Sequence, residues 1–253
     1  MPEDVQENNH LYVIGIGPGS ADLIAPRAYQ ALEKAKTIVG YNRYLELLPQ
    51  ELLEHKNIIS RGMRQEKERC NLAIANALQG EETCIVCSGD AGIYAMAGLV
   101  LEMLEQQELL DKIALEIIPG IPALCACAAL LGAPLMHDFA AISLSDLLTP
   151  WEKIKQRLAL ASEADFVIIL YNPKSKGRPN YLKEALKIIA KFRSPNCPVG
   201  LVREAYRAKQ WVGLFELKDF PVELADMLSL VIVGNSESRK VGQYMLTPRG
   251  YQL

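Results

Sequence analysis

Apolar runs rich in β-formers recur along the chain, and most give way to a small-residue turn and then to helical periodicity. Leu11–Ile16 reads as a buried strand that ends in Gly15-Ile-Gly-Pro-Gly-Ser20, with helix signals from Ala25 to Lys36. Thr37–Tyr41 predicts a second strand, Tyr41–Tyr44 opens another helical piece, and Asn57–Ser60 is a short third strand. Met63–Gln79 predicts an amphipathic helix with Cys70, Ala73, Ile74, Ala77 and Leu78 on one face and Gly80 as its stop. Thr83–Cys87 is a strand cut off at Ser88-Gly-Asp-Ala-Gly92. A helical pattern is expected at once, with Tyr94 to Gln107 inside it. Ile113–Ile118 runs into Pro119-Gly-Ile-Pro-Ala123, a stiff turn and a natural domain boundary.

The second half repeats the alternation. Phe139–Leu144 reads as a strand, and Thr149-Pro-Trp-Glu152 as a capping box with proline at the first helical position. Asp165–Tyr171 is the strongest strand signal, broken by Asn172-Pro173 and followed by a basic loop with Lys174, Lys176 and Arg178. From Pro179 a helix is expected with Leu182, Ala185, Leu186, Ile189 and Phe192 inward and Lys183, Lys187 and Lys191 in solvent. Val199–Arg203, Gln210–Gly213 and Leu228–Val233 complete the strands. The apolar–polar alternation of Gln210–Leu217 points to an antiparallel strand near an edge. The chain therefore reads as α/β throughout, in two domains spanning 1–119 and 120–253.

The 253 residues are 50% apolar and 23% charged, an ordinary balance for a folded core. A net charge of −3 provides no bulk basic field, which argues against a nucleic-acid or acidic-lipid partner. Met1–His10 is polar and acidic without a signal pattern. The longest uncharged stretch, Ile121–Met136, is short for a membrane span and interrupted by Pro122, Gly132 and Pro134, so the reading is cytoplasmic. Six cysteines in apolar surroundings read as buried thiols in a reducing compartment. Cys84 and Cys87 on one strand point to opposite faces, and Cys125 and Cys127 on one helix diverge, so with three histidines no metal site is expected.

In an open α/β sheet, ligands bind outside the carboxyl ends of the strands. The turns at Gly15, Ser88 and Pro119 are such ends, and three of them on one edge would make a cleft. The first is no dinucleotide cradle, because Pro18 lacks an amide hydrogen and Thr37–Tyr41 does not end in the acid that would hold a ribose. Asp90 either keeps a carboxylate near a ligand or caps a helix. Arg61 and Arg64 lie at a strand-to-helix turn, where they are candidates to meet an anion, whereas Lys67 and Arg69 read as part of a solvated face interleaved with Glu66 and Glu68.

Taken together, Gly15-Ile-Gly-Pro-Gly19, Ser88-Gly-Asp-Ala-Gly-Ile-Tyr94, Pro119-Gly-Ile-Pro-Ala123, Leu170-Tyr-Asn-Pro-Lys174 and Val231-Ile-Val-Gly234 resemble the tetrapyrrole methylase family. Gly40-Tyr-Asn-Arg-Tyr44, Gly62-Met-Arg-Gln-Glu66, Ser143–Trp151 and Tyr171–Pro179 resemble the branch that methylates C17 of the macrocycle and contracts its ring in cobalamin synthesis. The resemblance implies two α/β domains with roughly five-stranded sheets, paired as a homodimer, with S-adenosylmethionine in the cleft between the domains. It implies that Gly89, Asp90, Ile93 and Tyr94 hold the methionine part and ribose, that Ile121, Pro122, Ala123 and Tyr171 flank the adenosine, and that Pro18 borders the substrate side. Carboxylates of a tetrapyrrole are expected to meet Arg43, Arg61, Arg64, Lys174 and Arg203. Ring contraction moves protons, for which His137 and Asp138 are the acid–base and orienting candidates, the alternative being that His137 caps or packs.

Three other readings compete. One is the same fold acting on another tetrapyrrole carbon, or on RNA or protein. The second is a non-catalytic nucleotide-binding module, and the third a thiol oxidoreductase using Cys84 and Cys87.

Overall fold

The computed structural model describes residues 9–175, 177 and 179–252; Lys176 and Arg178 of the basic loop lie outside them. The chain forms two compact units, Met1–Ala123 and Leu124–Leu253.

The first unit alternates β1 (His10–Gly15), α1 (Pro26–Lys34), β2 (Thr37–Tyr41), α2 (Asn42–Leu45), β3 (Asn57–Arg61), α3 (Glu66–Ala77), β4 (Thr83–Cys87), α4 (Ala97–Gln106) and β5 (Ala114–Ile118). Its sheet has the order β3-β2-β4-β1-β5, and every pairing is parallel. Parallel strands are covered on both faces, which is why they read as continuous apolar runs. Tyr12, Ile14, Ile38, Cys84 and Val86 meet α1 and Leu45 of α2 on one face. Leu11, Val13, Val39, Ile85 and Cys87 meet α3 and α4 on the other. Cys84 and Cys87 thus lie on opposite sides of the sheet, as their spacing requires. Val13, Ile14 and Ile85 are wholly buried, and each such side chain contributes roughly 1.5–3 kcal/mol relative to exposure.

Three expectations change here. The helix after β4 begins at Ala97 and not at once, because Tyr94 sits at φ +53, outside helical geometry. Helix α3 is shorter than Met63–Gln79, and Leu78 at its end is exposed while Cys70, Ala73, Ile74 and Ala77 are buried. Arg69 is buried instead of solvated.

The second unit contains α5 (Ala123–Leu131), β6 (Gly132–Ala133), β7 (Phe139–Ser143), α6 (Trp151–Glu163), β8 (Val167–Tyr171), α7 (Tyr181–Ile189), β9 (Pro198–Arg203), β10 (Trp211–Glu216), β11 (Ser229–Val233), β12 (Arg239–Val241) and β13 (Tyr244–Leu246). Its main sheet runs β10-β9-β11-β8-β7, with β7 and β8 parallel and the other pairs antiparallel. Strand β10 is an antiparallel edge strand, as its alternation indicates. A core of α6, α7 and inward strand residues, among them Ile154, Leu158, Leu182, Ile168 and Val231, covers one face.

Pro150, not Thr149, occupies the position before α6, and no side chain caps that helix end. Phe192 falls beyond α7 and is exposed, whereas Leu182, Ala185, Leu186 and Ile189 are buried. Cys125 is exposed on α5, unlike the other five cysteines. A small sheet, β12-β13-β6, was not legible in the sequence. No described helix is long and apolar enough to cross a membrane.

Candidate functional site

The carboxyl ends of β4, β1 and β5 are adjacent in the first sheet. The chain leaves β1 toward β2 on one side and leaves β4 toward β5 on the other, so its direction reverses between β1 and β4. Such a switch point opens a crevice at the strand ends. There Gly17 and Gly89 exchange backbone hydrogen bonds: the Gly17 amide donates to the Gly89 carbonyl at 3.1 Å, and the Gly89 amide donates to the Gly17 carbonyl at 2.7 Å. Gly89 stands at φ +71, open to glycine without strain.

The third strand end closes onto this pair. A Cβ on Gly15 would lie 2.6 Å from the Gly89 oxygen and 2.7 Å from the Gly120 nitrogen, and one on Gly120 would lie 2.2 Å from the Gly89 oxygen. Three turns therefore pass at backbone contact. Sequence alone gives Gly120 no site role, although its place between Pro119 and Ile121-Pro122 signals a backbone constraint.

Asp90 binds these turns together. Its Oδ1 accepts the Gly92 amide at 2.8 Å and its Oδ2 accepts the Gly120 amide at 3.1 Å. A carboxylate offers about four lone-pair sites, so acceptor capacity is left over. Asp90 does not cap α4, whose first residue is seven positions on. Around it the surface is apolar: Ile93, Tyr94 and Ile121 are exposed on the loops that follow β4 and β5. Pro18 is buried, and Pro122 and Ala123 are half-buried beside Gly89. The first-unit cofactor candidates thus share one edge of one sheet.

The same edge continues into cations. Arg61 ends β3, Arg64 follows it and Arg43 lies on α2 after β2. Arg61 donates from Nε to Glu68 Oε1 at 2.6 Å and from Nη1 to the Ser60 carbonyl at 2.9 Å. Arg64 and Arg43 are exposed and have no hydrogen-bond or ion-pair partner among the described residues.

In the second unit, the ends of β7, β8 and β9 share an edge, because β8 and β9 both run antiparallel to β11. The Tyr171 hydroxyl accepts the Leu124 amide at 3.0 Å, satisfying an orphan donor in the first turn of α5. Lys174 Nζ donates to the Glu223 carbonyl at 3.3 Å. The Arg203 guanidinium stands 4.9 Å from the centre of the Trp211 ring, a cation–π contact. His137 and Asp138 do not join them. They precede β7, at the opposite end of the sheet, where the Asp138 carbonyl accepts the Val167 amide. His137 Nδ1 accepts the Asp138 amide at 2.9 Å, while the Asp138 carboxylate is 3.9 Å away. That carboxylate does not orient the ring.

Burial raises the thiols. Cys87 is pushed up to about 11 and Cys70 to about 12, both by desolvation first. Cys84 is raised further for the same reason. Burial disfavours both thiolates, and on opposite faces of the sheet Cys84 and Cys87 do not face each other as a dithiol pair.

Backbone-built turns at a switch point, lined by apolar side chains and with arginines farther along the same edge, make this edge the candidate small-molecule site of the α/β unit. The sequence profile of the Tetrapyrrole (Corrin/Porphyrin) Methylases matches residues 10–220, and the chain belongs to that family. It is 49% identical over 243 residues to a protein of Salmonella typhimurium named probable cobalt-factor III C(17)-methyltransferase, covering 96% of this chain and 100% of that one. It is 48% identical over 244 residues to the cobalt-factor III methyltransferase of Priestia megaterium, covering 96% of this chain but 45% of that longer protein. The crystal structure of the methyltransferase CobJ superposes with a TM-score of 0.89 at 38% identity, covering 94% of this chain and 99% of the other.

Proposed function

We propose that the chain is an S-adenosylmethionine-dependent C-methyltransferase that alkylates C17 of a precorrin-3B or cobalt-factor III type macrocycle, with contraction of the ring, in cobalamin biosynthesis. The observation that carries this reading is the 49% identity, along the full length of that relative, to the protein named probable cobalt-factor III C(17)-methyltransferase. The first-unit edge fits the donor. Gly15 and Gly120 let the three turns lock together at backbone contact, Ile93, Tyr94 and Ile121 offer an apolar wall, and Asp90 keeps acceptor capacity for hydroxyls or an amine.

When bound, S-adenosylmethionine supplies an electrophilic methyl group; its sulfonium keeps the electrons of the broken bond, and the ring π-system provides those of the new one. Positioning is the main demand of such a displacement and is worth roughly 7–11 kcal/mol. Backbone turns locked to one another meet it without a strong protein base. Gly89, Asp90, Ile93, Tyr94, Ile121, Pro122 and Ala123 are assigned to the donor, Tyr171 to its adenosine and Pro18 to the border with the acceptor. Arg43, Arg61, Arg64, Lys174 and Arg203 are assigned to the acceptor's carboxylates, which guanidinium suits best. Proton movements of contraction are not assigned to His137 and Asp138, which stand apart from the strand-end loops of their own unit.

The buried, unpaired thiols support a cytoplasmic enzyme, and the family resemblance supports a homodimer, to be checked by sedimentation. Incubation of purified protein with S-adenosylmethionine and a panel of trimethylated tetrapyrroles, metal-free and cobalt-bound, tests the reaction. Mass spectrometry is expected to find one added methyl on a contracted ring.

A further inference from the structure

Arg69 is the one side chain of α3 whose surroundings contradict its charge. It is 5% exposed, in a helix turn that reads as solvated. Burying a guanidinium costs several kcal/mol unless its donors are met. Here its two terminal nitrogens are engaged, one by the turn after β3 and the other by Glu66 of α3 itself and, more loosely, by the loop after β4. Nη1 donates to the Gly62 carbonyl at 2.7 Å, and Nη2 reaches Glu66 Oε1 at 3.3 Å and Met96 Sδ at 4.0 Å. Gly62 belongs to the turn after β3, which carries Arg61 and Arg64, and Met96 closes the loop after β4, which carries Ile93 and Tyr94.

The rest of that turn is equally tied. The Gly62 amide donates to Gln65 Oε1 at 2.7 Å, Gln65 Nε2 donates to Glu68 Oε2 at 2.8 Å, and Glu68 Oε1 holds Arg61. Both oxygens of the exposed Glu68 carboxylate are engaged by neighbouring side chains. Arg64 stands at φ +66, a strained geometry for a long side chain, and persists only because its neighbours fix it. Arg61 is paired with Glu68 through Nε and can offer a carboxylate only its remaining donors, whereas the exposed Arg64 guanidinium has no partner among the described residues.

We propose that Arg69 is a positioning residue for substrate recognition: by clamping the Gly62 carbonyl from inside the fold, it holds Arg64 out as the docking cation for a macrocycle carboxylate. The proposal rests on the tetrapyrrole reading above and deepens it. Arg69 touches no substrate, so its effect passes through Arg64.

The test is a double-mutant cycle with Arg64→Ala, Arg69→Met and the pair, reading tetrapyrrole KM, kcat and melting temperature, with Arg69→Lys as a milder variant that keeps one donor. Arg64→Ala and Arg69→Met are each expected to raise tetrapyrrole KM by about tenfold, the scale of one charge-assisted hydrogen bond. The pair is expected to be no worse than Arg64→Ala alone, and Arg69→Lys to recover part of the loss. A merely structural role would give additive losses. Additive KM effects, or Arg69→Met and Arg69→Lys both at wild-type KM while Arg64→Ala is impaired, overturn the proposal. Wild-type protein that takes no tetrapyrrole overturns the functional reading itself, and the positioning role with it.

Discussion

Asp90 and Gly120 are joined across two strand-end turns of one sheet edge: the carboxylate accepts the Gly120 amide through Oδ2 while Oδ1 holds the Gly92 amide. The clip keeps the turn after β5 pressed on the turn after β4, and both must hold still if a donor methyl is to be aimed. Asp90→Ala is expected to lower stability by about 1–3 kcal/mol, the cost of leaving a partly buried amide unmet, and to weaken S-adenosylmethionine binding by about tenfold or more. Asp90→Asn retains one acceptor and should fall between. Thermal melts and calorimetry read both effects, and wild-type values for Asp90→Ala would contradict the clip.

The glycine crossing predicts a contrast between two chemically identical changes. Gly15→Ala places a methyl against the Gly89 oxygen and is expected to cost about 1–3 kcal/mol and to abolish donor binding. Gly98→Ala, in α4, meets nothing within 4 Å and should stabilise the protein by about 0.5–1 kcal/mol with donor affinity unchanged. Opposite shifts in melting temperature are the expected result.

Cysteine burial sets an alkaline limit. For Cys70 and Cys87 the folded-state pKa is raised above the unfolded value, to about 12 and about 11, because burial disfavours the thiolate. Their contribution to stability is therefore complete below the ordinary thiol pKa and is lost as pH rises through the folded values. Melting temperature should fall as pH climbs above the ordinary thiol range. The native protein should react rapidly with a thiol reagent at Cys125, while the five buried thiols react only on unfolding, as mass mapping of the labelled sites reads.

Arg193 staples the second unit. Its side chain, 1% exposed, donates to the carbonyls of Gly234, Ser162 and Phe166 and pairs with Asp165 at 3.2 Å. Removing one partner of a buried charge network costs about 3–5 kcal/mol. Arg193→Met should show that loss in denaturant titration, while donor binding to soluble protein changes little.

The parts of the fold legible in the sequence are those governed by local pattern. Strands β4 and β8 announce themselves by uninterrupted apolar runs that stop at Ser88 and Asn172, and β10 announces its edge position by alternation. Sheet order does not appear in such patterns, because it depends on which strands meet after long crossovers. Arg69 was invisible for a related reason: flanked by Glu66 and Glu68 it has the spacing of a surface charge, and only the distant Gly62 and Met96 make its burial tolerable. The late start of α4 follows from the backbone of Tyr94, and the β12–β13 hairpin is too short and too polar to register. Of the site, the glycine turns were readable because glycine at a strand end has few other reasons to be there. The separation of His137 from the strand-end loops was not, since it depends on the direction of β7.

The central claim is a reaction, and one measurement addresses it most directly. Purified chain is incubated with S-adenosylmethionine carrying an isotopically labelled methyl group and a trimethylated precorrin or its cobalt form, and the product is analysed by mass spectrometry. The account predicts a tetrapyrrole one labelled methyl heavier, with that carbon attached at C17 and the macrocycle contracted. Label delivered to another ring carbon, or no transfer from protein that binds both partners, would contradict it.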